Sequence, residues 1–190
     1  MHIGLFFGSF NPVHVGHMVL ANYMREFTEL EEVWLVVSPH NPLKQKASLL
    51  DQHQRLALVN LAIDDHPRIK ASNIEFSLPQ PSYTINTLVH LQEKYPQHRF
   101  SLIMGQDNLV SFHKWKNYEE ILKNYTLFVY PRPNTEPTQF DANPQVKITQ
   151  APVMEISSTF IRNAIREKID IRYFLPYKVW LEIDEMNYYR

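Results

Sequence analysis

Apolar positions along this chain fall into short runs of strand length, separated by stretches with helical spacing. His2 to Phe7 is the first run and reads as a buried strand. It breaks at Gly8-Ser9 and turns at Asn11-Pro12. The pattern then changes to an amphipathic helix that runs to about Phe27. Glu32 to Ser38 is β-branched and aromatic and predicts a second buried strand. Strand, helix and strand in that order make a βαβ unit with a right-handed crossover.

The same alternation continues. Asp51 lies in a capping string before a helix that contains Arg55 and runs to about Asp64, where His66-Pro67 stops it. Ile69 to Phe76 predicts a third strand. Ser82 is expected to cap a helix over Tyr83 to Lys94. Phe100 to Gly105 predicts a fourth strand, followed by a polar turn at Gly105-Gln106-Asp107-Asn108 and a helical stretch with Trp115 near its middle. A short helix over Tyr118 to Lys123 and a fifth strand over Tyr125 to Tyr130 follow. The proline-rich stretch Pro131 to Pro144 reads as an exposed loop, and Val146 to Thr149 as a short further strand. Ile156 opens a helix to about Glu167. Ile171 to Leu175 and Pro176 to Met186 close the chain as helical segments, with Pro176 at a first helical position. The expected class is α/β: a parallel sheet of five or more strands flanked by helices. It forms one domain over residues 1–190, with a small helical subregion from about residue 156.

Composition removes some classes of function. The formal net charge of -1 gives no basic surplus for general nucleic-acid binding. Cysteine is absent, so disulfide frameworks and thiolate catalysis are excluded. No signal-like segment or membrane-length apolar stretch occurs, and the chain reads as cytoplasmic. Of 4 glycines, three fall between Gly4 and Gly16, which is expected where backbone approaches a ligand closely.

Chemistry concentrates after the first strand. Strand, tight loop and helix N-terminus present backbone N–H groups to an anion. His14 and His17 lie three apart and should face the same ligand as donors to phosphate. A His-x-x-His pair alone also reads as two surface histidines. Zinc is a poor fit, because no third ligand or acidic partner stands nearby, and no protein-held metal is expected. The string Ile156-Ser157-Ser158-Thr159-Phe160-Ile161-Arg162 offers more hydroxyls than one helix cap needs, together with a guanidinium fork suited to phosphate.

Neither a Walker loop nor a Gly-x-Gly-x-x-Gly turn is present. The string Gly8-Ser9-Phe10-Asn11-Pro12-Val13-His14-Val15-Gly16-His17 instead resembles the (T/H)-x-G-H signature of the nucleotidylyltransferase superfamily. Ile156 to Arg162 resembles that superfamily's second signature, Ile-Ser-x-Thr/Ser-x-x-Arg. Within the superfamily, Ser82-Tyr83-Thr84 and Gly105-Gln106-Asp107-Asn108 with Trp115 look like segments of the bacterial nicotinate mononucleotide adenylyltransferases. The resemblance departs from the common pattern at Asn11, where aspartate is commoner, at Asn41-Pro42-Leu43-Lys44, and at Gln80-Pro81.

That resemblance implies a Rossmann-like fold. It implies transfer of the adenylyl group of ATP to nicotinate mononucleotide, giving deamido-NAD and pyrophosphate. His14 and His17 would be the catalytic donors. ATP contacts are implied at Gly8, Ser9, Phe10, His14, Gly16 and His17, at Gly105 and Asp107, and at Ile156, Ser157, Ser158, Thr159 and Arg162. Nicotinate mononucleotide contacts are implied at Lys44, Ser82, Tyr83, Thr84, Asp107 and Trp115. Mg2+ would arrive with ATP, held mainly by the phosphates. The implied partners are these small molecules, with no nucleic acid and no membrane; a homo-oligomer is left open. Nicotinamide mononucleotide or phosphopantetheine as acceptor, and a non-catalytic nucleotide sensor, are the alternatives.

Overall fold

A computed structural model describes residues 1–39 and 49–190. Its strands are β1 (His2–Gly8), β2 (Glu32–Val37), β3 (Ile69–Ser72), β4 (Arg99–Gly105), β5 (Thr126–Tyr130) and β6 (Val146–Ile148). Its α-helices are α1 (Val15–Phe27), α2 (Gln52–Ile63), α3 (Thr84–Lys94), α4 (Gln106–Val110), α5 (Tyr118–Asn124), α6 (Ser158–Arg166) and α7 (Tyr177–Glu185). Among the described residues the strands form one parallel sheet in the order β3-β2-β1-β4-β5-β6.

The chain winds outward from β1 to β3, returns to β4 beside β1, and winds outward the other way. The order therefore reverses between β1 and β4, which leaves a crevice beyond their carboxyl ends, where open α/β sheets bind ligands. The elements that end or begin there are Gly8-Ser9 after β1 and Gly105 at the β4–α4 junction.

Alternation along each strand builds a core on each face of the sheet. Phe6, Val33, Leu35, Val37 and Phe128 meet Leu20, Met24, Leu58, Ile161 and Val179, so α1, α2, α6 and α7 cover one face. Ile3, Leu5, Val36, Leu102 and Val129 meet Leu88, Leu91, Leu109 and Ile121, so α3, α4 and α5 cover the other. No described helix is long and apolar enough to cross a membrane.

Several local expectations change. The third strand ends at Ser72, and Ile74–Ser77 winds into a 3-10 turn that buries Ile74 and Glu75. Ser82 is not a cap: Tyr83 occupies the N-cap of α3, and Ser82 Oγ donates instead to Glu75. The polar turn after β4 is itself the short helix α4. Trp115 is not mid-helix but follows the 3-10 turn Phe112–Lys114 with extended backbone. Ile171 to Leu175 holds only a 3-10 turn, Arg172–Phe174, and Pro176 is the N-cap of α7 rather than its first residue. Phe140 buries into the second core and pins the proline-rich stretch that reads as an exposed loop. Gly4 answers to packing, not to ligand: an added Cβ would lie 2.5 Å from Leu30 Cδ1 and 2.7 Å from Ile103 Cδ1.

Candidate active site

The loop after β1 is shaped from below. Phe10 adopts φ 45, which tucks its ring into the core, 1% exposed. The ring lies edge-on to Phe6 at 6.0 Å and to His17 at 5.0 Å. An added Cβ on Gly8 would come within 2.9 Å of that ring, so glycine is what lets backbone and phenyl share the space. Phe10 thus supports the loop and orients His17, and only its backbone is placed to meet a ligand.

His14 is the N-cap of α1, with extended backbone, and His17 stands one turn in. Their rings stack with centroids 3.7 Å apart, so the two do share a face as the spacing predicts. His17 Nδ1 accepts the backbone N–H of His14 at 3.2 Å. In the neutral imidazole an accepting Nδ1 leaves the proton on Nε2, so His17 offers Nε2–H as a donor. His14 is 4% exposed. Burial, reinforced by the positive charge of Arg132, pushes its pKa down from 6.5 to about 4. At neutral pH it is an uncharged imidazole. A Cβ on Gly16 would sit 3.0 Å from His14 Nδ1, so the glycine inside His-x-Gly-His makes room for the first ring.

The two motifs are built into each other. Ser157 caps α6 by accepting the N–H of Phe160 at 3.1 Å. Ser158 Oγ donates to the carbonyl of Pro12 at 2.9 Å. Arg162 Nη1 donates to the carbonyl of Asn11 at 2.7 Å and Nη2 to Thr159 Oγ1 at 3.2 Å. The α6 N-terminus therefore faces the same loop as the α1 N-terminus, and two sets of orphan backbone N–H groups converge. Ile156 is partly buried against the core beside them.

Of the residues expected on the acceptor side, the Ser82-Tyr83-Thr84 segment and the Trp115 turn come together. Lys116 Nζ sits 4.4 Å above the Tyr83 ring, which joins the Ser82-Tyr83-Thr84 segment to the Trp115 turn. Trp115 is half-buried, its ring 5.4 Å from Phe112. The α3 N-terminus at Thr84 presents free backbone N–H groups beside them, a setting that favours a carboxylate. Asp107, in the first turn of α4, reaches Arg132 Nε at 3.6 Å. Gly105 has no room for a side chain there: a Cβ would lie 2.3 Å from Asp107 Oδ1 and 3.1 Å from Arg132 Nε. Lys44 falls in residues 40–48, outside the described residues.

Three residues carry weight that the sequence alone does not assign. Arg55 is fully buried and donates to the carbonyls of Leu50, Ser9, Ser38 and Pro39 at 2.9, 2.6, 2.7 and 2.7 Å. It ties the loop after β1 to the end of β2. Arg132 follows β5 and donates to the Met154 carbonyl at 3.1 Å. Glu75 is buried and accepts from Ser82 Oγ at 3.2 Å and Thr87 Oγ1 at 2.8 Å. Charged residues at strand ends, or within an apolar helix face as with Arg55, are the signal that could have flagged them.

Comparison with known proteins gives the family. The cytidylyltransferase-like family matches residues 5–164. A Flavobacterium psychrophilum protein named "Probable nicotinate-nucleotide adenylyltransferase" is 58% identical over 100% of both chains. A Bacteroides thetaiotaomicron protein of the same name is 49% identical over 96% of this chain and 90% of its own. Among solved structures, Plasmodium falciparum nicotinic acid mononucleotide adenylyltransferase complexed with NaAD superposes with a TM-score of 0.84 over 99% of this chain and 97% of that one. At 19% identity this is a likeness of fold. With two signature motifs hydrogen-bonded to each other at the switch point of a parallel sheet, and with relatives of this identity over its whole length, the chain belongs to the cytidylyltransferase-like family and, within it, to the nicotinate-nucleotide adenylyltransferases.

Proposed function

We propose that this single domain transfers the adenylyl group of ATP to nicotinate mononucleotide, forming nicotinate adenine dinucleotide and pyrophosphate. The observation that carries the reading is the junction of the two motifs: Ser158 and Arg162 bond the carbonyls of Pro12 and Asn11, so the starts of α1 and α6 stand at one loop.

A phosphate oxygen of the mononucleotide attacks the α-phosphorus of ATP. The new P–O bond forms as the bond from the α-phosphorus to the α,β-bridging oxygen breaks, and pyrophosphate departs with that electron pair. The attacking group is already an anion, so no general base is required. What the protein supplies is alignment and stabilisation of charge on the transferring group and the leaving group. His17 Nε2–H and the neutral His14 donate to phosphate oxygens, and backbone N–H groups around Gly8, Ser9 and the α6 start add to them. The Arg162 guanidinium holds one arm on Asn11 and brings its charge to the triphosphate.

The oxygen donors near the crevice are hydroxyls, carbonyls and the Asp107 carboxylate. No group of three or more acidic or histidine side chains gathers there among the described residues. Magnesium prefers oxygen ligands and keeps several waters beside one or two carboxylates and substrate phosphates. That donor set fits Mg2+ carried by ATP, where it would neutralise phosphate charge. On the acceptor side, the α3 N-terminus receives the nicotinate carboxylate, Trp115 stacks on the pyridine ring, and Asp107 accepts from a ribose hydroxyl. Lys44 is assigned a mononucleotide contact from its motif alone. A reaction drawing on ATP fits a cytoplasmic setting.

The test is pyrophosphate release with ATP and, separately, nicotinate and nicotinamide mononucleotide. A higher kcat/KM for the acid is expected. Equal values would remove the carboxylate assignment, and ATP binding without pyrophosphate release would make the protein a nucleotide sensor.

A further inference from the structure

Residues beyond α7 turn back onto the phosphate loop. Asn187 and Tyr189 have φ values of 55 and 66. For a bulky residue such as Tyr189 this left-handed backbone is a strained outlier, and it persists only where surrounding contacts over-determine it. The contacts are present. Tyr189 hydroxyl donates to Asn11 Oδ1 at 2.8 Å, in the loop that carries the His-x-Gly-His string. The same Oδ1 accepts the backbone N–H of Leu50 at 3.2 Å. Next door, Gln54 Nε2 donates to Tyr188 hydroxyl at 3.3 Å, while Gln54 Oε1 accepts the N–H of Asp51 in the α2 cap. Arg190 pairs with Asp184 and Asn187, which closes the turn.

Asn11 is therefore held from three sides. Tyr189 and Leu50 hold its side chain, and Arg162 holds its carbonyl. Burial drives the Tyr189 pKa upward; Arg162 and Arg55 pull it down and Tyr188 adds a further rise, and burial prevails, so the hydroxyl remains a donor. An asparagine suits this place. A neutral amide oxygen accepts both bonds without putting a carboxylate beside the phosphates.

We propose that Tyr189 is a positioning residue for the ATP site: its hydroxyl, acting through Asn11, sets the geometry of the phosphate loop and couples it to Leu50, just before the cap of α2. This rests on the adenylyl-transfer reading for its kinetic readout, but not for its structural one. Tyr189 touches no reacting atom, so its effect must travel through the loop it braces.

The experiment compares Tyr189→Phe with Tyr188→Phe, which loses the neighbouring hydroxyl but not the bond to Asn11. Pyrophosphate release is measured with ATP varied at saturating nicotinate mononucleotide, and the reverse. Backbone hydrogen exchange of residues 8–14 is measured in the nucleotide-free protein. Tyr189→Phe is expected to lower kcat/KM for ATP about fivefold, the equivalent of one lost hydrogen bond. KM for the mononucleotide should stay unchanged, exchange at 8–14 should speed up, and Tyr188→Phe should leave both ATP kinetics and that exchange at wild-type values. In an Asn11→Ala background, Tyr189→Phe should add nothing further. Wild-type ATP kinetics and exchange in Tyr189→Phe would overturn the proposal. So would equal losses for both substrates tracking a drop in Tm, which is the signature of general destabilisation. If the wild-type protein released no pyrophosphate, adenylyl transfer would fall, and the exchange comparison would still decide whether Tyr189 braces the loop.

Discussion

Protonating His14 should unfold this protein more readily, and the size of the effect follows from where the ring sits. The imidazole is buried and stacked on His17, and burial first, then the positive charge of Arg132, lowers its pKa from 6.5 to about 4. In the unfolded chain the ring recovers a value near 6.5. Between those two values the unfolded state binds more protons than the folded one. Stability is then complete above about pH 6.5, falls as the pH drops toward 4, and stops falling on this account below that. At 1.36 kcal/mol per pH unit the full difference is about 3 kcal/mol, most of it lost by pH 4.5. Urea unfolding of wild type and His14→Gln between pH 7.5 and 4.5 isolates the contribution, because glutamine does not titrate and the other groups are common to both. Wild type should lose on the order of 2–3 kcal/mol more than the variant over that range. Parallel losses in the two proteins, or a His14 imidazole that titrates near 6.5 by NMR, would refute the placement of this ring.

Three other outcomes follow from the same geometry. His17→Ala removes the Nε2–H donor and should reduce the rate of pyrophosphate release by on the order of 10²–10³; wild-type turnover would remove His17 from the phosphate site. Arg55→Lys keeps a charge but cannot reach four carbonyls at once, so urea unfolding should show a loss of about 3 kcal/mol; a change under 1 kcal/mol would mean that the buried fork is not what joins the β1 loop to β2. Trp115→Ala should raise KM for nicotinate mononucleotide up to about tenfold and leave KM for ATP unchanged, and the opposite pattern would place the indole on the nucleotide.

Much of the fold was legible because burial on both faces of a parallel sheet writes itself as short apolar runs. β1, β2, β4 and β5 lie within a residue or so of where those runs stand. The errors fell where a residue's local signal competed with a tertiary contact or a local change of winding. Ser82 looks like a helix cap, but Glu75, buried seven residues earlier, takes its hydroxyl. Trp115 follows a stretch of helical composition, yet the chain tightens to a 3-10 turn at Phe112–Lys114 and leaves the indole on extended backbone. Gly4 resembles the loop glycines in sequence, but its lack of a side chain serves Leu30 and Ile103 across the sheet.

Local pattern determined the strand-loop-helix unit, the capping serine of α6, and the pairing of His14 with His17, because each depends on residues within one turn of each other. The switch point, the contact of Ser158 and Arg162 with Pro12 and Asn11, and the Asn11–Tyr189 bond join residues about a hundred or more positions apart. Nothing in either neighbourhood specifies the other. Only the assembled fold, by carrying α6 and the residues after α7 back over the carboxyl end of β1, brings their donors to the same loop. The same assembly buries His14, and that burial, with the charge of Arg132, lowers its pKa to about 4.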